Sequence, residues 1–216
     1  MKIYILTVSF ILSLFLTGCV FGPSPEEEIS EVLDAIVEKE QGFVDSQEPI
    51  KTLEQDEKEL FDNIMALSIE EFDEIEVLAE EALENLKQRE EQIVIEAESI
   101  KEAKKEFEKI NEYVGDIEDA TLRSHVEEMI EVMYQRYDSH NELIVKYEEA
   151  IDLDRELYTM LKDEELVFED LKEQVEKVNT QYDTTLELND EFNLITDQYN
   201  QLKSDFYEMS GRDEEE

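Results

Sequence analysis

The sequence has one cysteine, no tryptophan, two histidines, three prolines and five glycines, and its 19 basic side chains face 61 acidic ones. A single cysteine, Cys19, excludes a disulfide within the chain. So little glycine excludes phosphate-cradling loops and the many tight turns of an α/β enzyme; beyond residue 25 only Gly42, Pro49, Gly115 and Gly211 break the run of helix-compatible residues. A net charge of −42 repels nucleic acid, anionic lipid headgroups and teichoic-acid phosphates. DNA and RNA binding are excluded on that ground. No G-x-S-x-G, no H-E-x-x-H and no cysteine placed for catalysis is present, and no cofactor motif is found, so the expectation is a protein that is not an enzyme.

What is there begins with an apolar run, Ile3 to Leu16, behind a head of Met1 and Lys2. About fourteen residues suit a signal-peptide core and fall short of the roughly 20 that span a bilayer. The run ends in Leu16-Thr17-Gly18-Cys19, which resembles a bacterial lipobox. That resemblance implies removal of residues 1–18 and lipidation of Cys19, and so a lipoprotein tethered to the outer face of the cytoplasmic membrane; one acyl chain anchors marginally, whereas two or three hold firmly. Residues 19–24 form the lipidated cysteine and a short spacer.

Helix signals then follow closely. Ser24-Pro25-Glu26-Glu27 and Ser68-Ile69-Glu70-Glu71 are capping boxes, the first with proline at the opening helical position. Ile29, Ile36, Phe43, Ile50 and Ile64 keep a seven-residue spacing, with Leu53, Leu60 and Leu67 in the second seam. Phe72, Ala79, Leu86, Ile93, Ile100, Phe107 and Val114 do the same, with Ile75, Ala82, Ala103 and Ile110 as partners, until Gly115 and Asp116 stop the helix. The strictest register runs from Val126 through Met133, Tyr137, His140, Ile144, Tyr147, Ile151, Asp154 and Tyr158 to Leu161, and a fourth stripe joins Leu171, Val175, Val178 and Tyr182 to Phe192, Tyr199 and Phe206. The spacing predicts helices over 25–67, kinked near Pro49 because proline removes a helical N–H, then over 69–114, 117–162 and 164–209, the last capped by Asp163. Each would be roughly 65 Å long. The predicted fold is all-α: an elongated up-and-down antiparallel helical bundle over residues 25–209 with coiled-coil-like heptad packing, followed by an acidic tail at 210–216. Partial pairing or an intermolecular coiled coil also satisfies the heptads, which do not name their partner.

Several residue groups could carry chemistry. His125 and His140 would lie about 22 Å apart on one helix and cannot chelate one ion there, which leaves no metal site. His140 and Asp154 occupy seam positions and each needs a partner from another helix. Tyr137, Tyr147 and Tyr158 read as core tyrosines with hydroxyls reaching the rim. The stretch 179–201 uses amides and hydroxyls where the rest of the chain uses charge, so Asn179, Gln181, Asn189, Asn193 and Gln201 are the candidate partner contacts. A slim bundle leaves little room for a pocket of about 300 Å³.

The order of LTGC, SPEEEI, QEPIKTLEQDEKELFDNIMALSIEEFDEI, LAEEALENL and SIKEAKKEFEKI resembles the cell-wall-binding lipoproteins of the YkyA-like family in Gram-positive bacteria. The resemblance covers nearly the whole chain after Cys19. It implies a membrane-anchored protein on the extracytoplasmic face, with peptidoglycan or another wall polymer as partner. The alternative is a structural or scaffold module that binds other envelope proteins or itself.

Overall fold

The computed structural model describes residues 22–211, all of whose regular structure is helical. Five α-helices, α1 (Pro25–Lys39), α2 (Gln41–Ala66), α3 (Phe72–Phe107), α4 (Ala120–Met160) and α5 (Phe168–Ser210), form four antiparallel rods, with α1 and α2 sharing the first. Antiparallel pairing is fixed by the contacts themselves: Ser99 meets Lys39 while Asn85 meets Leu53, and His125 meets Leu202 while Gln174 meets Leu153. The bundle expected from the heptads is the one observed.

Local chemistry sets the helix ends. Ser24 accepts from the Glu27 amide while the Glu27 carboxylate accepts from the Ser24 amide, and Ser68 and Glu71 repeat the box; such a cap contributes about 1 kcal/mol. Asp119 caps α4 through the amides of Thr121 and Leu122. The α-helical geometry of α3 ends at Phe107, earlier than Gly115 suggested, and two 3₁₀ turns carry the chain to Asp116. Their tighter winding keeps Ile110, Val114 and Ile117 on the buried side. Asp163 caps only the turn through the Glu165 amide; α5 begins at Phe168 because Leu161 and Leu166 first fold into the core.

The first rod breaks at Glu40, and Pro49 lies inside α2. Pro49 and Asp45 both face solvent, where the helical carbonyl that a proline leaves without a donor can be hydrated. The break has another cause. The Ser99 hydroxyl of α3 donates to the Lys39 carbonyl at 2.6 Å and accepts from the Phe43 amide at 3.0 Å, inserting itself into the helical ladder. Gly42 makes this approach feasible, since a Cβ there would lie 3.0 Å from that of Ser99.

Two cores fill the bundle. The one around α1 is apolar and packs Ile29, Leu33, Phe107, Met129, Met133 and Phe206. The other, towards the α2–α3 turn, packs Ile64, Leu86, Ile151, Leu157 and Tyr158. Between them lies a polar layer in which Arg136 grips Glu40 through two nitrogens at 2.6 and 3.0 Å and bonds Thr196. Glu96 there joins His140, at 2.9 Å, to Gln47.

Candidate groove and its buried arginine

In the half around α1, the first rod and α5 meet: Tyr207 bonds Asp34, and Phe43 packs edge-on against Phe192. Beyond Phe43 they separate. The seam between α2 and α5 opens into two adjoining cavities of about 370 and 400 Å³ that share Glu54, Tyr182 and Leu186 on their walls. Together they make a groove whose floor is supplied by α3 and α4, so the bundle has more room than the expectation of little space for a pocket allowed.

The floor is built on Arg89, whose side chain is 1% exposed. Its guanidinium donates to Glu57 at 3.0 Å, to Asp154 at 3.0 Å and to the Tyr182 hydroxyl at 2.7 Å. Tyr182 in turn donates to Asp154 at 2.6 Å, Tyr158 donates to Glu57 at 2.7 Å, and Tyr147 donates to Glu54. Arg89 also lies 5.5 Å from the centre of the Tyr147 ring and 5.9 Å from that of Tyr182. Four rods thus converge on one cation. Its Nε remains without a hydrogen-bond partner.

The electrostatics follow from burial. Desolvation, with the nearby Glu57 charge, pushes the Asp154 carboxyl up to about 6, against the opposing pull of Tyr182 and Arg89. Burial raises the phenols of Tyr147, Tyr158 and Tyr182 above their usual range, so all three stay neutral donors. Burial opposes the Arg89 charge, but Tyr147, Tyr182, Glu57 and Asp154 outweigh it and hold the guanidinium protonated. Among the described residues no cluster of three or more histidine, cysteine, aspartate or glutamate side chains is arranged to hold a metal ion.

The five amide residues do not form one patch. Asn179 and Asn189 line the groove. Gln181 turns to α4 and donates to the Lys146 carbonyl at 2.9 Å, Asn193 is exposed, and Gln201 bonds Asp205 on its own helix. His140 and Asp154 find partners on other helices, as their seam positions require. Tyr147 and Tyr158 are core tyrosines whose hydroxyls meet carboxylates, whereas the buried Tyr137 hydroxyl has no partner. Cys19 lies outside the described residues.

The sequence profile described as "Putative cell-wall binding lipoprotein", YkyA, matches residues 24–209. The chain belongs to this family. An uncharacterized lipoprotein YkyA from Bacillus subtilis (strain 168) is 33% identical over 200 residues, spanning 93% of this chain and 89% of that protein. The same fold occurs in the crystal structure of a conserved protein of unknown function from Staphylococcus aureus, with a TM-score of 0.64 at 16% identity, over 87% of this chain and 98% of that one. Among the described residues no helix is long and apolar enough to cross a membrane.

Proposed function

We propose that this lipoprotein is held on the outer face of the cytoplasmic membrane by lipid on Cys19 and captures a wall polymer in the α2–α5 groove, without catalysis. The observation that carries this reading is the groove itself: it opens in the half of the bundle remote from α1, and Cys19 closely precedes α1 in sequence. The geometry therefore supports a stem that lifts a binding face off the membrane. The absence of catalysis is supported by the carboxylates of the floor, since Glu57 and Asp154 are each tied to Arg89 and a tyrosine and neither is placed as an available acid or base. Wall polymers are anionic overall, and screening beyond about 8 Å weakens repulsion without reversing it. Contact must then use uncharged groups, a bridging divalent cation or the amine-bearing parts of the wall, and Asn179 and Asn189 supply uncharged walls.

The test is sedimentation of the full-length, detergent-purified chain with purified wall. Tryptophan at Asn179 and Asn189 fills the groove without altering charge and should abolish co-sedimentation, while tryptophan at Asn193 and Gln201 should leave it intact. Loss with both pairs, or no sedimentation of the unaltered chain, overturns the reading. The second reading, a scaffold binding another envelope protein, is favoured by Ile69, Val167 and Phe168, which stand exposed in the two turns at the far end of the bundle. Crosslinking in cells through those positions, with no wall binding, would establish it instead. Cys19→Ser should release the protein from the membrane, and continued labelling by fatty acid would contradict the anchor.

A further inference from the structure

The groove presents a carboxylate that no cation of the described residues pairs with. Glu54 stands where its two cavities join, half-buried, and receives one hydrogen bond, from Tyr147. The two rim lysines do not answer it: Lys51 lies 3.8 Å from Glu48, and Lys58 lies 2.5 Å from Asp62, both on their own helix. Behind it, Arg89 is the one cation facing Glu57 and Asp154 as well. The Arg89 Nε is itself fully buried, so the groove offers a ligand the carboxylate and not this N–H. The cavity that Arg89 lines is also lined by the apolar surfaces of Phe61, Val175 and Leu186.

We propose that the groove takes a ligand bearing a primary ammonium group, which pairs with Glu54 between the apolar walls. An amino sugar with an unacetylated nitrogen and a peptide with a lysine-type amine share this chemistry. A neutral sugar lacks the ammonium, and a phosphate-rich polymer is repelled by the carboxylates. This assignment rests on the groove being the binding site and names what it selects.

The test uses the full-length chain in detergent micelles and nuclear magnetic resonance of groove side chains, with four probes: glucosamine, N-acetylglucosamine, N-acetyl-lysine amide and N-acetyl-norleucine amide. The capped or amine-free member of each pair should bind at least about tenfold more weakly, the loss expected for one charged hydrogen bond. Which amine binds more tightly separates the sugar source from the peptide source. Glu54→Gln should remove the preference for the amine, while Glu187→Gln, an exposed carboxylate elsewhere on α5, should not. Tetramethylammonium controls for simple cation accumulation on so acidic a chain, and equal perturbation by it overturns the assignment. So does equal binding of amine and capped probes. If the probes fail while tryptophan at Asn179 and Asn189 still abolishes wall sedimentation, the ligand class is wrong and the groove stands; if those substitutions leave sedimentation unchanged, the groove itself is wrong.

Discussion

The half of the bundle around α1 and the half beyond the Glu40 break follow the same heptad plan with different materials. Around α1 the seam residues are hydrocarbon and aromatic and the four rods close on one another, with the buried Arg136–Glu40 pair only at the inner edge of this half. Beyond the break, Glu57, Arg89, Glu96 and Asp154 occupy buried or half-buried positions, and α2 draws away from α5. A buried ion pair seldom stabilises more than hydrophobic residues of equal volume would. The lesson of the contrast is that the far half gives up stability for a polar floor under an open groove, whereas the α1 half serves as a stem.

The largest effect expected from this difference is for Arg89→Met. It leaves Glu57 and Asp154 buried without their cation and should cost about 3–5 kcal/mol in urea unfolding at neutral pH. Phe107→Ala in the stem should cost a similar amount, about 3–5 kcal/mol, through the cavity left behind. The two should separate on acidification: the Arg89→Met penalty shrinks as the carboxylates take up protons, and the Phe107→Ala penalty stays constant. Equal pH dependence would erase the distinction between the halves.

A smaller effect isolates Asp154. Its carboxyl titrates near 6 when folded, against an ordinary value of 3.8, so the folded state holds the proton more tightly. Its contribution therefore favours folding at low pH and is lost as pH rises from about 4 to about 6, amounting to roughly 3 kcal/mol at most. Subtracting the unfolding free energy of Asp154→Asn from that of the unaltered chain across this window should reveal that slope, and a flat difference would contradict it. Glu57→Gln should move the midpoint downward, because the neighbouring charge helps to raise it.

The smallest of the three concerns the junction. Gly42→Ala pushes a methyl group against Ser99 and should cost about 1–3 kcal/mol. Ser99→Gly should relieve much of that cost in the double variant. If Gly42→Ala were neutral, the insertion of Ser99 would not be what divides the first rod.

The sequence made the helices legible because each buries a seven-residue stripe, and the capping boxes at Ser24 and Ser68 marked two starts. It also carried a signal for the floor. The first series skips position 57 between Ile50 and Ile64, and the second seam of α3 skips 89 and 96 between Ala82 and Ala103. Those gaps are Glu57, Arg89 and Glu96, which meet Asp154 and His140 from the strict third series. A break in a heptad series thus located the buried polar groups, although their pairing was hidden because heptads do not say which helices meet. The Glu40 break was hidden for a related reason: Ser99 lies on a different helix from the residues it separates, while Pro49, the visible local signal, faces water. Of the five amides, the rotation of α5 puts Asn179 and Asn189 in the groove and turns the others elsewhere, a distinction that composition cannot make.

The measurement that tests the central claim most directly is hydrogen–deuterium exchange of the full-length chain in nanodiscs, with and without soluble fragments of digested cell wall. The account predicts slowed exchange in residues 44–61 and 179–193, on the two sides of the groove, with 25–39 and 199–210 unchanged. Protection confined to the α1 half or to the turns at the far end, or no protection at all, would contradict it.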